Sequence, residues 1–378
     1  MVEQLLSSPL GEVRLRCWPH RRNERLQAWD GADRYLLEQV VAQQAARPWL
    51  VFNDSQGALA VSLSRAGQAA LSCADDWLAY AAVNANASDN GLAAPGWAWL
   101  DELPARLAQQ GVGGVLFKVP RQVPLLEAQL AVLCQCLPPG MPVWLAGLDK
   151  HLPRHLREVL DTWLTQVQTL PGRFKAHGFS AVTGGAGPAD ADSRLMAVVD
   201  WPEQGWQLQN RAGVFAWQQV DIGARLLLQA LPDSGGDVAD LGCGSGVLGM
   251  AMLAQHADAR VWFCDSSRQA ILSAGDNVAR CLPDAGARVQ FHQGNGLDEL
   301  QQRFDHILLN PPFHRGAAVD TAVGKMLIRH AARHLRPDGS LRLVVNRHLD
   351  YRGALSRAFA RREIIASNDK FVVWCCRP

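Results

Sequence analysis

The chain contains 378 residues, and because a domain usually holds roughly 100–200 residues, this length predicts two domains. Hydrophobic residues make up 48% of the chain and charged residues 19%, which is an ordinary composition for a folded globular protein. The formal net charge of +1 excludes a protein that binds nucleic acid through its overall charge, so any such surface has to be a local patch.

The cysteines and the amino terminus exclude further classes of protein. The nine cysteines do not have the spacing of a zinc site or a disulfide framework, so we expect reduced thiols and no metal. The first residues lack a cationic start followed by an apolar core, and no apolar run approaches the roughly 18–20 residues of a membrane helix. These features predict a cytoplasmic protein.

A segment rich in Gly and Ala divides the chain almost in half. Residues 181–192 contain no large apolar side chain, which is typical of a linker. We therefore predict a first domain over residues 1–180, a linker over 181–192 and a second domain over 193–378.

The predicted elements alternate between strands and helices. In the first domain they are a strand at 51–52 before a turn that ends at Gly57, a strand at 114–117 and a Pro-rich turn at 137–143. In the second domain they are strand 238–241, helix 248–255, strand 260–264, helix 268–280, strands 288–292 and 304–309, turn 335–339, and strands 340–345 and 371–376. This order predicts an α/β fold with a mainly parallel sheet and helices on both faces.

The landmarks of the two halves follow one another in the same order, which indicates a tandem duplication. The matching segments are 28–37 with 216–227, 51–59 with the strand and turn that begin at 238, 114–117 with 305–309, and 137–143 with 335–341.

The turn Asp240-Leu241-Gly242-Cys243-Gly244-Ser245-Gly246 follows a strand and precedes a helix. Glycine allows the backbone to turn tightly and to approach a ligand, and open α/β sheets bind ligands at the carboxyl ends of their strands. The turn resembles the acidic-x-Gly-x-Gly-x-Gly turn of class I S-adenosylmethionine methyltransferases. The resemblance implies that Gly242 and Gly244 pass beside the methionine moiety, with Gly246 completing the turn. It also implies that Asp240 orders the turn and meets the cationic cofactor.

Two further residues follow the next strands. Asp265 ends the second strand about twenty residues after the turn, where a carboxylate accepts hydrogen bonds from both ribose hydroxyls in dinucleotide folds. Asn295 follows the third strand, and the resemblance places a side chain near the adenine amine at this position. The turn combined with Asp265 predicts S-adenosylmethionine as the cofactor.

The tetrad Asn310-Pro311-Pro312-Phe313 follows the strand 304–309 at the edge where the cofactor is expected. An amine on an aromatic ring is a poor nucleophile because its lone pair is delocalised. The Asn310 side chain and the Pro311 carbonyl offer two acceptors that favour a pyramidal nitrogen, and Pro311 and Pro312 hold them in place. Phe313 offers a flat face on which a base stacks. This motif is the signature of amino-methyltransferases that act on adenine, guanine, cytosine or glutamine amides.

A longer set of segments narrows this choice. They are Gly213-Val214-Phe215, Asp221-Ile222-Gly223-Ala224-Arg225, the Gly-rich turn, Asn310-Pro311-Pro312-Phe313-His314 and Asn346-Arg347-His348-Leu349-Asp350-Tyr351. Together they resemble the bacterial ribosomal RNA guanine-2-amine methyltransferases, most closely those that act on 23S rRNA. The resemblance covers nearly the whole chain and implies two tandem class I (Rossmann-like) methyltransferase domains, the N-terminal one degenerate.

The resemblance leaves several substrate contacts open. His314 contacts the base or a phosphate, or has no role, and Arg347 and His348 contact RNA or only close the fold. Phe215 is a further candidate for contact with RNA. The family usually continues with Ser and Arg where this chain has Ala216 and Trp217, and Trp217 is either a core residue or a stacking residue.

The first domain has lost the chemical motif. Lys118-Val119-Pro120-Arg121 stands where the second domain has its Asn-Pro-Pro-Phe tetrad, and the Gly-rich turn is reduced to Asp54-Ser55-Gln56-Gly57. We expect this domain neither to bind the cofactor well nor to catalyse, and the resemblance implies that it grips RNA or braces the catalytic half. In the first case Lys118 and Arg121 would contact phosphates.

The sequence therefore predicts methyl transfer from S-adenosylmethionine to the 2-amino group of a guanine in 23S rRNA. The alternatives are a small-subunit rRNA guanine methyltransferase, a glutamine-amide methyltransferase of a release factor, and a non-catalytic RNA-binding assembly factor. The duplicated half favours a large RNA over a protein loop, and the intact tetrad argues against an assembly factor. The oligomeric state is left open.

Overall fold

The structure, a computed structural model, describes residues 4–20, 26–42, 48–184, 187–312, 314–315, 318–319 and 321–378. The chain divides into two compact units, Met1–Leu195 and Met196–Pro378, which are called here the first and the second unit. The first three residues of the predicted linker belong to the last strand of the first unit.

The described elements of the first unit begin with a two-stranded antiparallel hairpin and continue as alternating strands and helices. They are β1 (Leu5–Ser8), β2 (Gly11–Arg14), α1 (Gly31–Ala42), β3 (Trp49–Phe52), α2 (Ala58–Arg65), β4 (Ala70–Cys73), α3 (Trp77–Asp89), β5 (Gly96–Ala98), α4 (Leu103–Gln109), β6 (Gly114–Lys118), α5 (Val123–Cys136), β7 (Pro142–Leu148), α6 (Leu156–Trp163), β8 (Leu164–Arg173), β9 (Ala176–Thr183) and α7 (Ala191–Leu195).

The described elements of the second unit also begin with an antiparallel hairpin. They are β10 (Met196–Trp201), β11 (Trp206–Arg211), α8 (Ile222–Leu228), β12 (Asp237–Leu241), α9 (Val247–Gln255), β13 (Arg260–Asp265), α10 (Arg268–Cys281), β14 (Val289–Gln293), β15 (Phe304–Leu309), β16 (His314–Arg315), β17 (Ala318–Val319), α11 (Ala322–His334), β18 (Leu335–Asn346), α12 (Arg352–Ala358), β19 (Arg361–Ser367) and β20 (Phe371–Arg377). Among all described helices, none has the length and apolar character needed to cross a membrane.

Each unit contains a seven-stranded sheet, and the two sheets have the same strand order. The order is β5-β4-β3-β6-β7-β9-β8 in the first unit and β14-β13-β12-β15-β18-β20-β19 in the second. In each sheet the first five strands in this order are parallel and the last two are antiparallel to their neighbours. The predicted α/β fold and the duplication are therefore confirmed.

Alternating side chains of the second sheet enter two different cores, as the two-residue period of a strand requires. In β15, Leu308 packs in the core that contains residues of α8, α9 and α10. Its neighbours Ile307 and Leu309 pack in the core that contains residues of α11 and α12. Both faces of β15 are buried at its carboxyl end, which explains why Ile307-Leu308-Leu309 reads as a continuous apolar run.

The predicted turn at 335–339 is wrong in one respect, because these residues lie within β18. Leu335 pairs with Phe304 and Ser340 pairs with His306, so four residues of β18 stand opposite the single residue Asp305. The Pro and Gly of this segment produce an irregularity in the ladder instead of ending the strand.

Candidate active site

Three site residues lie at one edge of the second sheet because β12 pairs in parallel with both β13 and β15. Leu241 stands opposite Cys264 on one side and Leu309 on the other. The chain therefore reaches Gly242, Asp265 and Asn310 at the same level, as the sequence predicts.

The Gly-rich turn is pinned to β13 and leaves open space beside it. The backbone N–H groups of Gly242 and Cys243 donate to the Cys264 carbonyl at 2.7 and 3.1 Å. Gly242 and Gly244 have φ of 76° and 53°, and an added Cβ would meet nothing within 4 Å at either position. The turn therefore requires glycine for its backbone conformation, and it forms a cradle that a ligand fits.

Gly246 has a different function from the other two glycines. It is the N-cap of α9 with φ of 86°, and a Cβ there would lie 3.0 Å from the Cβ of Ala274 on α10. Its glycine lets α9 and α10 pack closely.

Asp240 is fully buried in β12 and holds the start of α9. Its Oδ2 accepts a hydrogen bond from the Gly249 backbone N–H at 2.9 Å, whereas its Oδ1 is buried without a partner. Burial, together with the charge of Asp265, raises the pKa of Asp240 to about 8. A cation beside Oδ1 would stabilise the ionised form of this carboxyl group.

Asp265 connects the Gly-rich turn to the helix that follows β13. Its Oδ2 accepts from the Gly244 N–H at 3.0 Å and its Oδ1 from the Ser267 N–H at 3.0 Å. Burial raises its pKa, and these backbone donors oppose that shift. An ionised carboxylate has about four lone-pair sites, so Asp265 retains acceptors for a ligand hydroxyl.

Asn295 is buried after the end of β14. Its Nδ2 donates to Asp298 Oδ2 at 2.8 Å, and its Oδ1 is buried without a partner. This acceptor suits an amine such as that of adenine.

Asn310 is held by a residue that sequence analysis did not assign to the site. Its Nδ2 donates to Asp221 Oδ2 at 3.0 Å, and its Oδ1 is buried without a partner. Asp221 is the N-cap of α8, and the same Oδ2 accepts from the Ala224 N–H at 3.0 Å. The signal available in the sequence was an Asp directly before a helix in each half, at Asp30 and Asp221.

The rest of the predicted tetrad is partly described. Pro311 is buried and Pro312 is exposed. Phe313 lies outside the described residues, and of His314 the structure describes only the backbone, in β16.

The candidate RNA contacts of the second unit differ in exposure. Phe215 is 62% exposed, which is unusual for an aromatic side chain. Arg347 and His348 are exposed after β18, and Arg347 Nε donates to the Asn368 carbonyl at 2.6 Å. Trp217 is half-buried, and Ala216 before it has a left-handed φ of 54°.

Three unpartnered acceptors and an open cradle thus lie at or just beyond the carboxyl ends of the strands. The acceptors are Oδ1 of Asp240, Asn295 and Asn310. Because buried polar atoms normally have hydrogen-bond partners, these atoms indicate ligands that supply donors or positive charge. S-adenosylmethionine and an amine substrate fit this set.

The first unit closes the corresponding cradle with its own side chains. Asn53 follows β3 as Gly242 follows β12, and its Nδ2 donates to the Lys118 carbonyl at 2.8 Å and to Gln129 Oε1 at 2.9 Å. The turn has the same length as in the second unit, but Asp54 within it accepts from the N–H groups of Leu59 and Ala60. The helix start is therefore capped from the turn itself.

The side chain of Lys118 pairs with carboxylates of its own unit, which argues against the phosphate contact expected from the sequence. Its Nζ lies 2.8 Å from the buried Asp33 carboxylate and 3.5 Å from Asp30. Burial alone would lower the pKa of Lys118, but Asp33 and Asp30 raise it, so the side chain stays protonated within an internal ion cluster.

Arg121 remains at the surface of the first unit. Its Nη2 lies 2.6 Å from His151 Nε2. Burial, together with the charge of Arg121, lowers the pKa of His151, so the neutral ring accepts this hydrogen bond.

Comparison with known proteins identifies the class to which this fold and site belong. The pattern of the methyltransferase small domain matches residues 205–375, and that of the RLMG N-terminal domain matches residues 3–181. Together with the strand order and the Gly-rich cradle, these matches define an S-adenosylmethionine-dependent methyltransferase with a degenerate first domain.

The full-length relatives identify the family. The chain is 46% identical to ribosomal RNA large subunit methyltransferase G of Alcanivorax borkumensis, over 98% of this chain and 96% of the relative. It is 37% identical to the protein of the same name from Klebsiella pneumoniae subsp. pneumoniae, over 94% and 93%. The chain belongs to the ribosomal RNA large subunit methyltransferase G family, which confirms the resemblance found in the sequence.

A solved structure supports the same architecture. The T. thermophilus 16S rRNA N2 methyltransferase RsmC, in complex with AdoMet and guanosine, matches with a TM-score of 0.73 at 21% identity. The match covers 99% of this chain and 97% of that chain, so both units of this chain have a counterpart in the fold of that structure.

Replacing Lys118 tests its assignment to the ion cluster. Lys118→Met leaves the buried Asp33 carboxylate without its cation, and we expect the free energy of unfolding to fall by about 3–5 kcal/mol. Arg121→Met removes the same charge from the surface and should change it by about 0.5 kcal/mol or less. Urea unfolding of the full chain measures both. If the two variants are equally stable and Lys118→Met binds RNA more weakly, Lys118 contacts RNA and its assignment to the ion cluster is wrong.

Proposed function

We propose that this chain transfers the methyl group of S-adenosylmethionine to the 2-amino group of a guanine in 23S rRNA. The chemistry rests on the second unit, which contains the cradle and the Asn310 acceptor. The substrate class rests on the relatives, which are named as methyltransferases of large-subunit ribosomal RNA. The whole chain matches these relatives, so the proposal concerns both units.

The cofactor is held by residues that keep unused hydrogen-bonding capacity. Asp265 would accept hydrogen bonds from the ribose hydroxyls, and Asn295 Oδ1 would accept one from the adenine amine. Gly242 and Gly244 let the methionine moiety lie against the backbone, and the buried Asp240 carboxylate provides negative charge for the cationic cofactor. When bound, the cofactor supplies an electrophilic methyl group on a sulfonium sulfur.

The unpaired Oδ1 of Asn310 is the observation that carries the proposal. A guanine 2-amino nitrogen attacks a methyl group only when its lone pair is withdrawn from the ring. An acceptor for one N–H at Asn310 Oδ1, and for the other at the Pro311 carbonyl, favours that geometry. The acceptors are built into the fold, so little reorganisation is needed during reaction. The proton leaves after transfer, when the nitrogen is cationic, and no strong base is required.

The exposed residues of each unit provide contacts for the RNA. Phe215 offers a face on which a base stacks, and the base has to leave its helical stack to reach Asn310. Arg347 and His348 lie after β18, and Arg121 lies on the first unit. Cationic side chains at these positions would contact phosphates, which position the RNA without reading its sequence.

Mapping methylated guanines tests the substrate. We expect one N2-methylguanine to disappear from 23S rRNA when the gene is deleted and to return when the wild-type chain is supplied. Asn310→Ala supplied in the same way should not restore it. Mass spectrometry of both rRNAs measures this, and loss of a 16S modification instead would assign the chain to the small subunit.

Replacing Asp265 tests the cofactor site. Asp265→Ala removes a charged acceptor worth roughly 1.5–3 kcal/mol, so affinity for S-adenosylmethionine should fall by about one to two orders of magnitude. Asp276→Ala, which breaks an ion pair with Arg211 on the surface of the same unit, is the matched control. Calorimetry that finds equal affinities for the two variants would remove Asp265 from the site.

Replacing Asn310 tests the mechanism. Asn310→Ala should leave the melting temperature and the cofactor affinity unchanged, because its acceptor acts mainly in the transition state. We expect turnover on 23S rRNA to fall roughly a hundred- to a thousand-fold. Single-turnover transfer of a labelled methyl group measures it, and near-normal turnover would show that the mechanism is wrong.

A further inference from the structure

Asp221 and Asn310 form a contact between two elements that are far apart in the chain. Asp221 precedes α8 and Asn310 follows β15, 89 residues later. One oxygen of Asp221, Oδ2, receives both the Asn310 Nδ2 donor and the Ala224 N–H, each at 3.0 Å. The hydrogen bond from the start of α8 therefore holds the Asp221 carboxylate in place, and the carboxylate in turn holds the Asn310 amide.

We propose that Asp221 is a positioning residue, which orients the Asn310 amide so that its oxygen faces the substrate amine. This inference rests on the proposed function, because it assigns a cause to the orientation of the acceptor in that mechanism. An ionised carboxylate only accepts hydrogen bonds, so the amide must turn its NH₂ group towards Asp221. The oxygen is then the atom left unpaired.

The orientation matters because the two ends of an amide have opposite hydrogen-bonding properties. An Asn310 side chain rotated by 180° would present an NH₂ group to the amino group of the base, and two donors repel each other. Asp221 excludes this rotamer, since rotation would also place the amide oxygen against the carboxylate oxygen. The hydrogen bond between Asn310 and Asp221 therefore keeps the amide oxygen of Asn310 facing the substrate position even when no substrate is bound.

Tight packing around the pair supports this function. Gly223 lies beside it, and an added Cβ would be 2.9 Å from Asp221 Oδ2 and 3.5 Å from Asn310 Oδ1. The same Cβ would lie 3.3 Å from the ring of Phe371. Glycine at this position lets the start of α8 approach the end of β15.

The first unit provides an independent observation. Lys118 is the last residue of β6 and comes directly after Phe117, the partner of Phe52, just as Asn310 comes directly after Leu309, the partner of Leu241. Asp30 precedes α1 as Asp221 precedes α8. Their side chains also meet, with Lys118 Nζ 3.5 Å from Asp30 Oδ2. The duplicated fold thus brings an acidic residue at the helix start to the strand-end residue in both units. In the second unit the strand-end residue is Asn310, whose amide oxygen has no partner within the protein.

Two variants of Asp221 separate orientation from helix capping. Asp221→Ser keeps a good N-cap residue but is too short to reach Asn310, whereas Asp221→Asn keeps an oxygen that accepts from both Ala224 and Asn310. We expect Asp221→Ser to lower kcat by at least about thirtyfold and Asp221→Asn to retain kcat within about fivefold. Neither should change the KM for 23S rRNA or the Kd for S-adenosylmethionine, and the melting temperature of Asp221→Ser should fall only by the loss of one hydrogen bond.

A double-variant comparison tests whether Asp221 acts through Asn310. In the Asn310→Ala background there is no amide to orient, so adding Asp221→Ser should lower kcat by less than about twofold. Labelled methyl transfer to 23S rRNA from cells that lack the gene is the assay for all variants.

The outcomes distinguish this inference from the proposed function. If Asn310→Ala keeps its turnover, the proposed mechanism fails. If Asn310→Ala is inactive but Asp221→Ser is as active as the wild type, only the positioning function fails. A further large loss on adding Asp221→Ser to Asn310→Ala would also overturn it, because Asp221 would then act independently of the amide. If both Asp221 variants have a lower kcat and also a lower melting temperature, Asp221 acts only as the N-cap of α8 and the positioning function fails.

Discussion

The parallel pairing of β12 with both β13 and β15 is the constraint on which the site depends. A one-residue slip in either pairing would turn every side chain of the slipped strand to the opposite face of the sheet. The buried alternation of Leu308 and Leu309 between two cores prevents such a slip. The same packing that stabilises the sheet therefore sets the relative positions of the Gly-rich turn, Asp265 and Asn310, which stand at the carboxyl ends of three different strands.

The two units show how one backbone supports either a ligand site or a closed structure. In the second unit the residues after the central strand are small, and three carbonyl or carboxyl oxygens have no protein partner. In the first unit Asn53 bridges two strand ends and Lys118 pairs with the buried Asp33 carboxylate. The strand order is the same in both units, so these differences lie in the side chains at the carboxyl ends of the strands.

The fold and the strand-end residues were predictable from local patterns, whereas the contacts between distant segments were not. The strand Phe304–Leu309 was predicted with its observed bounds, because an apolar run that stops at Asn-Pro-Pro has a clear end. Lys118 was a candidate for phosphate contact because it is a cation at the position of the catalytic tetrad, but its partners lie 85 and 88 residues earlier. Nothing in the local sequence indicates such a pairing. The Asp221–Asn310 bond escaped prediction for the same reason.

The ion cluster of Lys118 also restricts how the first unit can evolve. Replacing Lys118 by asparagine, the residue at the equivalent position of the second unit, would leave the buried Asp33 carboxylate without a cation. The hydrogen bond from Asn53 to the carbonyl group of residue 118 would remain. This position therefore cannot gain the amide of the second unit without a loss of stability.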